Sequence, residues 1–107
     1  MAITELGGGG GGVTIVRDSI TNADSPHAVA LNTELFVDAS GGAITVNFPA
    51  ASTWTAGDTI TVIVTDATTT TTLDGSASET ISGATTQPLT TTCAVTIRCN
   101  GTALFIS

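Results

Sequence analysis

The sequence predicts an all-β protein: a compact antiparallel β-sandwich or jelly-roll-like domain that follows a flexible N-terminal arm. From Val13 onward, short runs rich in Val, Ile and Thr are separated by Gly, Pro, Asn and Asp, as in strands joined by turns. No long window keeps a helical period. Leu, Ile, Val and Phe form about a quarter of the 107 residues, enough for one core. We therefore divide the chain into an arm, residues 1–12, and a β-sandwich domain, residues 13–107.

The arm contains six consecutive glycines at residues 7–12. Glycine loses more conformational freedom on folding than any other residue, so this run is expected to be a tether rather than part of a core. A flexible chain of six residues spans about 14 Å, enough to carry Ile3 and Leu6 onto a neighbouring subunit. The pattern predicts that Ile3 and Leu6 bind a partner; the alternative is a spacer before a terminus that binds nothing.

The domain is predicted to contain ten short strands. Residues 25–36 are the nearest helix candidate, with Ser25 and Pro26 at cap and first-turn positions, but the apolar face is too weak to favour a helix. Many short strands in so small a domain indicate a sandwich, jelly roll or small barrel. A short β-solenoid is the alternative, for which we find no fixed-period repeat. The predicted strands are residues 13–17, 28–31, 34–38, 43–48, 59–66, 69–73, 79–82, 88–91, 93–99 and 102–106.

Alternation of apolar and polar residues predicts which side chains face inward in the middle strands. Ile63 interrupts the polar face of its strand, so we expect it to contact a second layer or a partner. The run from Thr68 to Thr72 is polar on both faces and is expected at an edge or on the surface. The predicted inward side chains are Ile44, Val46 and Phe48, followed by Ile60, Val62 and Val64.

The clearest turn is Asn100-Gly101, which lies between two alternating runs and is typical of a two-residue β-hairpin loop. Such a loop pairs Cys99 with Thr102 and Ile97 with Leu104. Within one strand, Cys93 and Cys99 lie roughly 20 Å apart, too far for a disulfide. We interpret both as inward-facing free thiols; an interchain disulfide or a metal site is the alternative.

Charge excludes some classes of partner. Charged residues make up 10% of the chain, the net charge is −7, and there is no Lys, only Arg17 and Arg98. Nucleic acid and anionic membrane surfaces both require clustered positive charge, so neither is an expected partner. No segment is long and apolar enough to span a membrane, and the first residues lack the features of a secretory signal peptide.

Candidate catalytic and ligand-binding residues are few. Asp24, Ser25 and His27 lie close in sequence, but triad members converge from different elements, and this stretch is typical of a turn. Asp74 begins a segment that faintly resembles a calcium loop without the required spacing. We therefore expect no enzyme activity, cofactor or metal. Trp54, in a loop, either contacts a glycan or an interface through its ring, or packs over one end of the sandwich.

The stretch FVDASGGAITVNFPAAS, residues 36–52, resembles a β-domain that recurs in structural proteins of tailed bacteriophages. The resemblance continues through GDTITVIV (57–64), the segment 73–83 and VTIRCNGTALFI (95–106), and it covers residues 24–107. Two features differ: Ala103-Leu104 stands where the family usually has a Trp-aromatic pair, and the strand before Asp74-Gly75 is almost pure Thr.

This resemblance implies a virion structural protein, often trimeric, found in capsid decoration proteins, head fibres and tail fibres. One domain with a short arm favours a decoration (cement) protein on the outer surface of the phage head, made in the host cytoplasm. Its expected partners are the major capsid protein and two further copies of itself. The alternative is the receptor- or carbohydrate-binding tip of a head or tail fibre, with Trp54 against the glycan.

Overall fold

The computed structural model describes residues 14–107, which form two β-sheets packed face to face. The larger sheet has five strands in the order β1-β3-β5-β8-β9, and the smaller has four in the order β2-β4-β6-β7. The two-sheet, all-β architecture predicted from the sequence is therefore confirmed. The strands are β1 Val16–Thr21, β2 His27–Ala28, β3 Thr33–Asp38, β4 Ile44–Asn47, β5 Ile60–Asp66, β6 Thr71–Asp74, β7 Thr86–Leu89, β8 Cys93–Cys99 and β9 Leu104–Ile106.

The first six strands pair in parallel, so the predicted antiparallel jelly-roll arrangement is wrong for this part of the chain. β1, β3 and β5 are parallel neighbours in the larger sheet, and β2, β4 and β6 are parallel neighbours in the smaller one. Successive strands alternate between the sheets, so each return to a sheet runs in the same direction as before. The chain therefore winds through three coils, each with one strand per sheet, so the two-sheet sandwich is built in part along the path of the solenoid alternative.

Unequal coil lengths explain why no fixed-period repeat is visible in the sequence. Val16 of β1 lies beside Thr33 of β3, 17 positions further along the chain, whereas Glu34 of β3 lies beside Thr61 of β5, 27 positions further. The longer second coil contains the loop from Pro49 to Asp58, with a one-turn 3-10 helix at Ala51–Thr53. An inserted loop of this kind removes the sequence period. β3 and β5 nevertheless keep one register from Glu34 to Val37, and the register shifts by one residue only at Asp38, which lies beside Asp66.

The last three strands add in antiparallel fashion and close the C-terminal end of the domain. β8 pairs with β5, β9 with β8, and β7 with β6. The hairpin at Asn100 forms as predicted, but its register differs, because Ile97 lies opposite Ile106 rather than Leu104. Asn100 accepts hydrogen bonds through its side-chain oxygen from the amides of Thr102 and Ala103, and this lengthens the loop to four residues. The shift by two keeps the same side chains facing inward.

The core lies between the two sheets, and it includes the inward side chains predicted for residues 44–48 and 60–64. The predicted strand at 79–82 is reduced to a single bridging residue, Ile81. The polar run at residues 68–72 was expected at a sheet edge or on the surface, and this prediction is wrong for its second half. β6 lies between β4 and β7, and Thr71 is fully buried. Parallel stacking of Thr71 on Ile44 draws this threonine into the core.

Candidate interaction surface

The outer face of the five-stranded sheet has a row of apolar side chains across its middle. Phe36 of β3 lies beside Ile63 of β5, which lies beside Ala94 of β8, and Ser19 of β1 continues the row at its end. Phe36 and Ile63 are half-buried and Ala94 is exposed. We call Phe36, Ile63 and Ala94 the outer strip. No other element of residues 14–107 forms a second layer over it.

Strand alternation places the outer strip on this face. In β3, Leu35 and Val37 point into the core with no exposed surface, so Phe36 between them must point outward. In β5, Ile63 lies in the same position between Val62 and Val64. The sequence pattern identifies the outward position of Ile63, whereas for Phe36 within its strand it leaves both a core contact and a sheet contact open. The alternation of its two neighbours was the signal that could have identified it.

Both arginines of the chain flank the outer strip on the same face. The Arg17 side chain lies 3.6 Å from the Glu34 carboxylate on the neighbouring strand. Because the Arg17 side chain is largely exposed and that of Glu34 is partly exposed, this ion pair contributes at most about 1 kcal/mol. Arg98 lies opposite Phe105, whose side chain is also on this face and 45% exposed. The face thus combines aromatic, aliphatic and guanidinium groups, a composition enriched at protein interfaces.

A pocket of about 360 Å³ opens beside Phe36, near the ends of β1, β3 and β5. It is lined mainly by hydroxyl and apolar groups, with one carboxylate. That carboxylate, Asp38, accepts a hydrogen bond from the Ser40 amide at 3.0 Å. The pocket therefore extends the outer strip as a concavity that a partner side chain could enter. Its lining residues are Ser19, Ile20, Thr21, Phe36, Asp38 and Thr65.

Trp54 packs into the core with 7% of its surface exposed. Its indole N–H donates to the backbone oxygen of Pro49 at 3.2 Å, within the loop that precedes β5. This geometry matches the alternative of a tryptophan packed over one end of the sandwich. The carbohydrate-binding interpretation therefore lacks the exposed ring on which it relied.

The cysteines and the histidine lie apart from the outer strip. Cys93 and Cys99 are free thiols at the two ends of β8, both half-buried. Cys99 accepts from the Gly101 amide through its sulfur at 3.2 Å, within the hairpin. His27 lies 3.6 Å from the Asp18 carboxylate, and the Ser25 hydroxyl accepts a hydrogen bond from the Thr45 amide. Within residues 14–107, no hydrogen bond joins the Ser25 hydroxyl to the His27 ring.

Hydrogen bonds perturb the acidity of two loop carboxylates. The backbone amide of Thr55, followed by the Asn32 side-chain amide, lowers the pKa of Asp58 below its ordinary value of 3.8. The hydroxyl and amide of Thr68 lower the pKa of Asp66 in the same way. Both carboxylates stabilise turns between strands, and neither lies on the outer strip.

The contacts described above do not include the predicted arm residues, a metal site or a membrane-spanning segment. Ile3 and Leu6 lie outside the described residues. Among residues 14–107, no group of three or more His, Cys, Asp or Glu side chains is placed to hold a metal ion. In the same range, no helix has the length and hydrophobicity needed to cross a membrane. Neither a known protein family nor any curated protein matches this chain.

Proposed function

We propose that this chain is a non-enzymatic structural protein of a bacteriophage virion, most specifically a capsid decoration protein that binds and stabilises the head lattice. The proposed partners are the major capsid protein and other copies of the chain, which assemble as a homotrimer on the outer surface of the head. The observation that carries this proposal is the outer strip, an apolar row on the larger sheet of an acidic protein that no other element of residues 14–107 covers.

The outer strip suits a contact with another protein better than a contact with a small molecule. Its three side chains lie in register on three adjacent strands, so they form a row on a regular sheet surface. Covering Phe36 and Ile63 would contribute about 1.5–3 kcal/mol each if both were fully exposed beforehand, and less here because they are half-buried. A single contact of this size is weak, whereas three linked contacts in a trimer gain through avidity.

Charge distribution favours the same face for association. The chain has a net charge of −7, so two copies repel each other at most of their surfaces. On the outer face of the larger sheet, Arg17 and Arg98 offset Glu34 and Asp38. Repulsion between copies is therefore weakest where the apolar strip lies.

The arm supplies a second proposed contact. In this proposal, Ile3 and Leu6 fill small apolar pockets on a neighbouring subunit or on the capsid, linked to the domain by the glycines at residues 7–12. Deleting residues 1–12 should weaken capsid binding at least tenfold and leave the melting temperature of the domain nearly unchanged. Full capsid occupancy by the truncated chain, measured by co-sedimentation, would show that the arm is not an anchor.

A charge substitution tests the role of the outer strip. Ile63→Glu places a carboxylate in the middle of the row, so we expect loss of the trimer and of capsid binding. Thr86→Glu is the matched control, since it adds the same charge to the outer face of the smaller sheet, at an exposed site. Light scattering coupled to size exclusion gives the mass. A wild-type mass near 10.6 kDa at micromolar concentration would contradict the trimer.

A further inference from the structure

Among residues 14–107, β1 is the outermost strand of the five-stranded sheet, so one of its two edges is not paired with another strand. The Val16 amide donates to the Asn32 carbonyl at 2.9 Å, so it points toward β3. Successive amides along a strand point in opposite directions, so the amides of residues 18 and 20 also point toward β3. The amides of Arg17, Ser19 and Thr21 point away from the sheet, where a further strand could pair.

Carboxylates of the same chain already occupy two of these three outward amides. Ser19 donates its amide to Asp18 Oδ1 at 2.9 Å, and Thr21 donates its amide to Asp24 Oδ2 at 2.9 Å. The second bond belongs to the cap of the one-turn helix at Asn22–Asp24. A strand added to β1 would need the same two donors. The edge is thus occupied by side-chain acceptors along most of its length.

The other sheet edges are closed by different means. On β7, Pro88 has no amide hydrogen to offer to another strand. On β9, the chain itself covers the edge, because Leu104 donates its amide to Thr80 O and Ile106 donates to Ser82 Oγ. β2 has only two residues. β1 is therefore the longest edge strand of the described domain, and side-chain carboxylates accept two of its three outward amides.

We propose that the edge of β1 is a latent docking site for β1 of a second copy of this chain, and that Asp18 and Asp24 keep it closed by accepting the outward amides. The second copy must also offer β1, because Pro88 and the covered edge of β9 prevent a head-to-tail stack. Two β1 strands meeting across a twofold axis run antiparallel and close after one pairing. Ile15 and Val16, both exposed, lie at this edge and would be covered.

Two double variants separate hydrogen bonding from charge. Asp18→Ala/Asp24→Ala removes the acceptors and should double the mass of the particle relative to wild type at micromolar concentration. Asp18→Asn/Asp24→Asn removes the same charge but keeps a side-chain oxygen on each residue, and it should keep the wild-type mass. Asp58→Ala/Asp66→Ala, which removes two carboxylates that accept amides elsewhere, should also keep the wild-type mass.

Folding of each variant is checked by circular dichroism before the mass is measured by light scattering. A folded Ala variant that keeps the wild-type mass would overturn the proposal. Doubling of the Asn variant would overturn it as well, because charge repulsion would then be the cause of closure.

Amide exchange on the wild-type protein provides a test that does not depend on any variant. The Ser19 and Thr21 amides should exchange at least tenfold more slowly than the Arg17 amide, since only Arg17 lacks an acceptor at this edge. Equal exchange rates at the three positions would show that the carboxylates do not close the edge. This inference is independent of the proposed role in a virion.

Discussion

The two ends of the domain are closed in different ways. At the C-terminal end, the segment around Ile81 crosses the edge of β9 and joins it, and both Ile81 and Leu104 are fully buried. At the N-terminal end, β1 has no such cover within residues 14–107, and Val16, which shares the inward side of the strand with buried Ile20, is 56% exposed. There the edge is closed by hydrogen bonds to Asp18 and Asp24.

The two kinds of closure have different consequences: one affects the stability of the fold, and the other affects association with another chain. Apolar burial at the C-terminal end contributes to the free energy of folding, since removing such side chains exposes or empties part of the core. Exposed hydrogen bonds at the N-terminal end contribute little to folding, but they remove the donors that another strand would need. We therefore expect substitutions at the C-terminal end to lower stability, and substitutions at the N-terminal end to change the assembly state.

The largest effect is expected for Ile81→Ala at the C-terminal end. Because Ile81 is fully buried, its truncation should lower the free energy of unfolding by about 2–5 kcal/mol. Val16→Ala is the matched control at the other end and should cost less than about 0.5 kcal/mol, as for most surface substitutions. Urea unfolding followed by the fluorescence of Trp54, the single tryptophan, measures both. Equal losses would contradict the comparison of the two ends.

A smaller effect of opposite sign is expected midway between the ends, at Thr71. Its hydroxyl is fully buried and has no hydrogen-bond partner within the described structure. Thr71→Val replaces the hydroxyl with a methyl group of similar size, and should raise the free energy of unfolding by about 1 kcal/mol. Thr72→Val, on the next and half-exposed residue of β6, should change it little. Destabilisation by Thr71→Val would indicate that the hydroxyl has a partner after all.

The smallest effect concerns acid and the turn carboxylates. Hydrogen bonds from Thr68 lower the pKa of Asp66 in the folded state. Its contribution to stability is therefore present above the unfolded value and is lost as the pH falls through the folded pKa. Asp66→Asn keeps an acceptor but no longer titrates, so its unfolding free energy should fall less than that of wild type below about pH 4. Urea titrations at pH 6 and pH 3 compare the two proteins, and identical losses would contradict this role.

Local features of the sequence predicted much of the strand content. β8 begins and ends at the predicted residues, and the inward faces of β4 and β5 follow the alternation of their side chains. The hairpin at Asn100 was also recognisable from its turn residues. Within the candidate surface, Ile63 was recognisable because it is apolar where the pattern requires a polar residue. These features depend on neighbours along the chain, so the sequence displays them directly.

The sequence by itself determined that the domain is all-β and which side chains of the middle strands face inward, since strand alternation is a local property. Only the tertiary structure decided that six strands pair in parallel, because pairing direction depends on which sheet receives the next strand. It also decided that Thr71 is buried and that Phe36 and Ile63 lie side by side. These relations join residues about 27 positions apart, and coils of unequal length leave no period in the sequence from which to infer them.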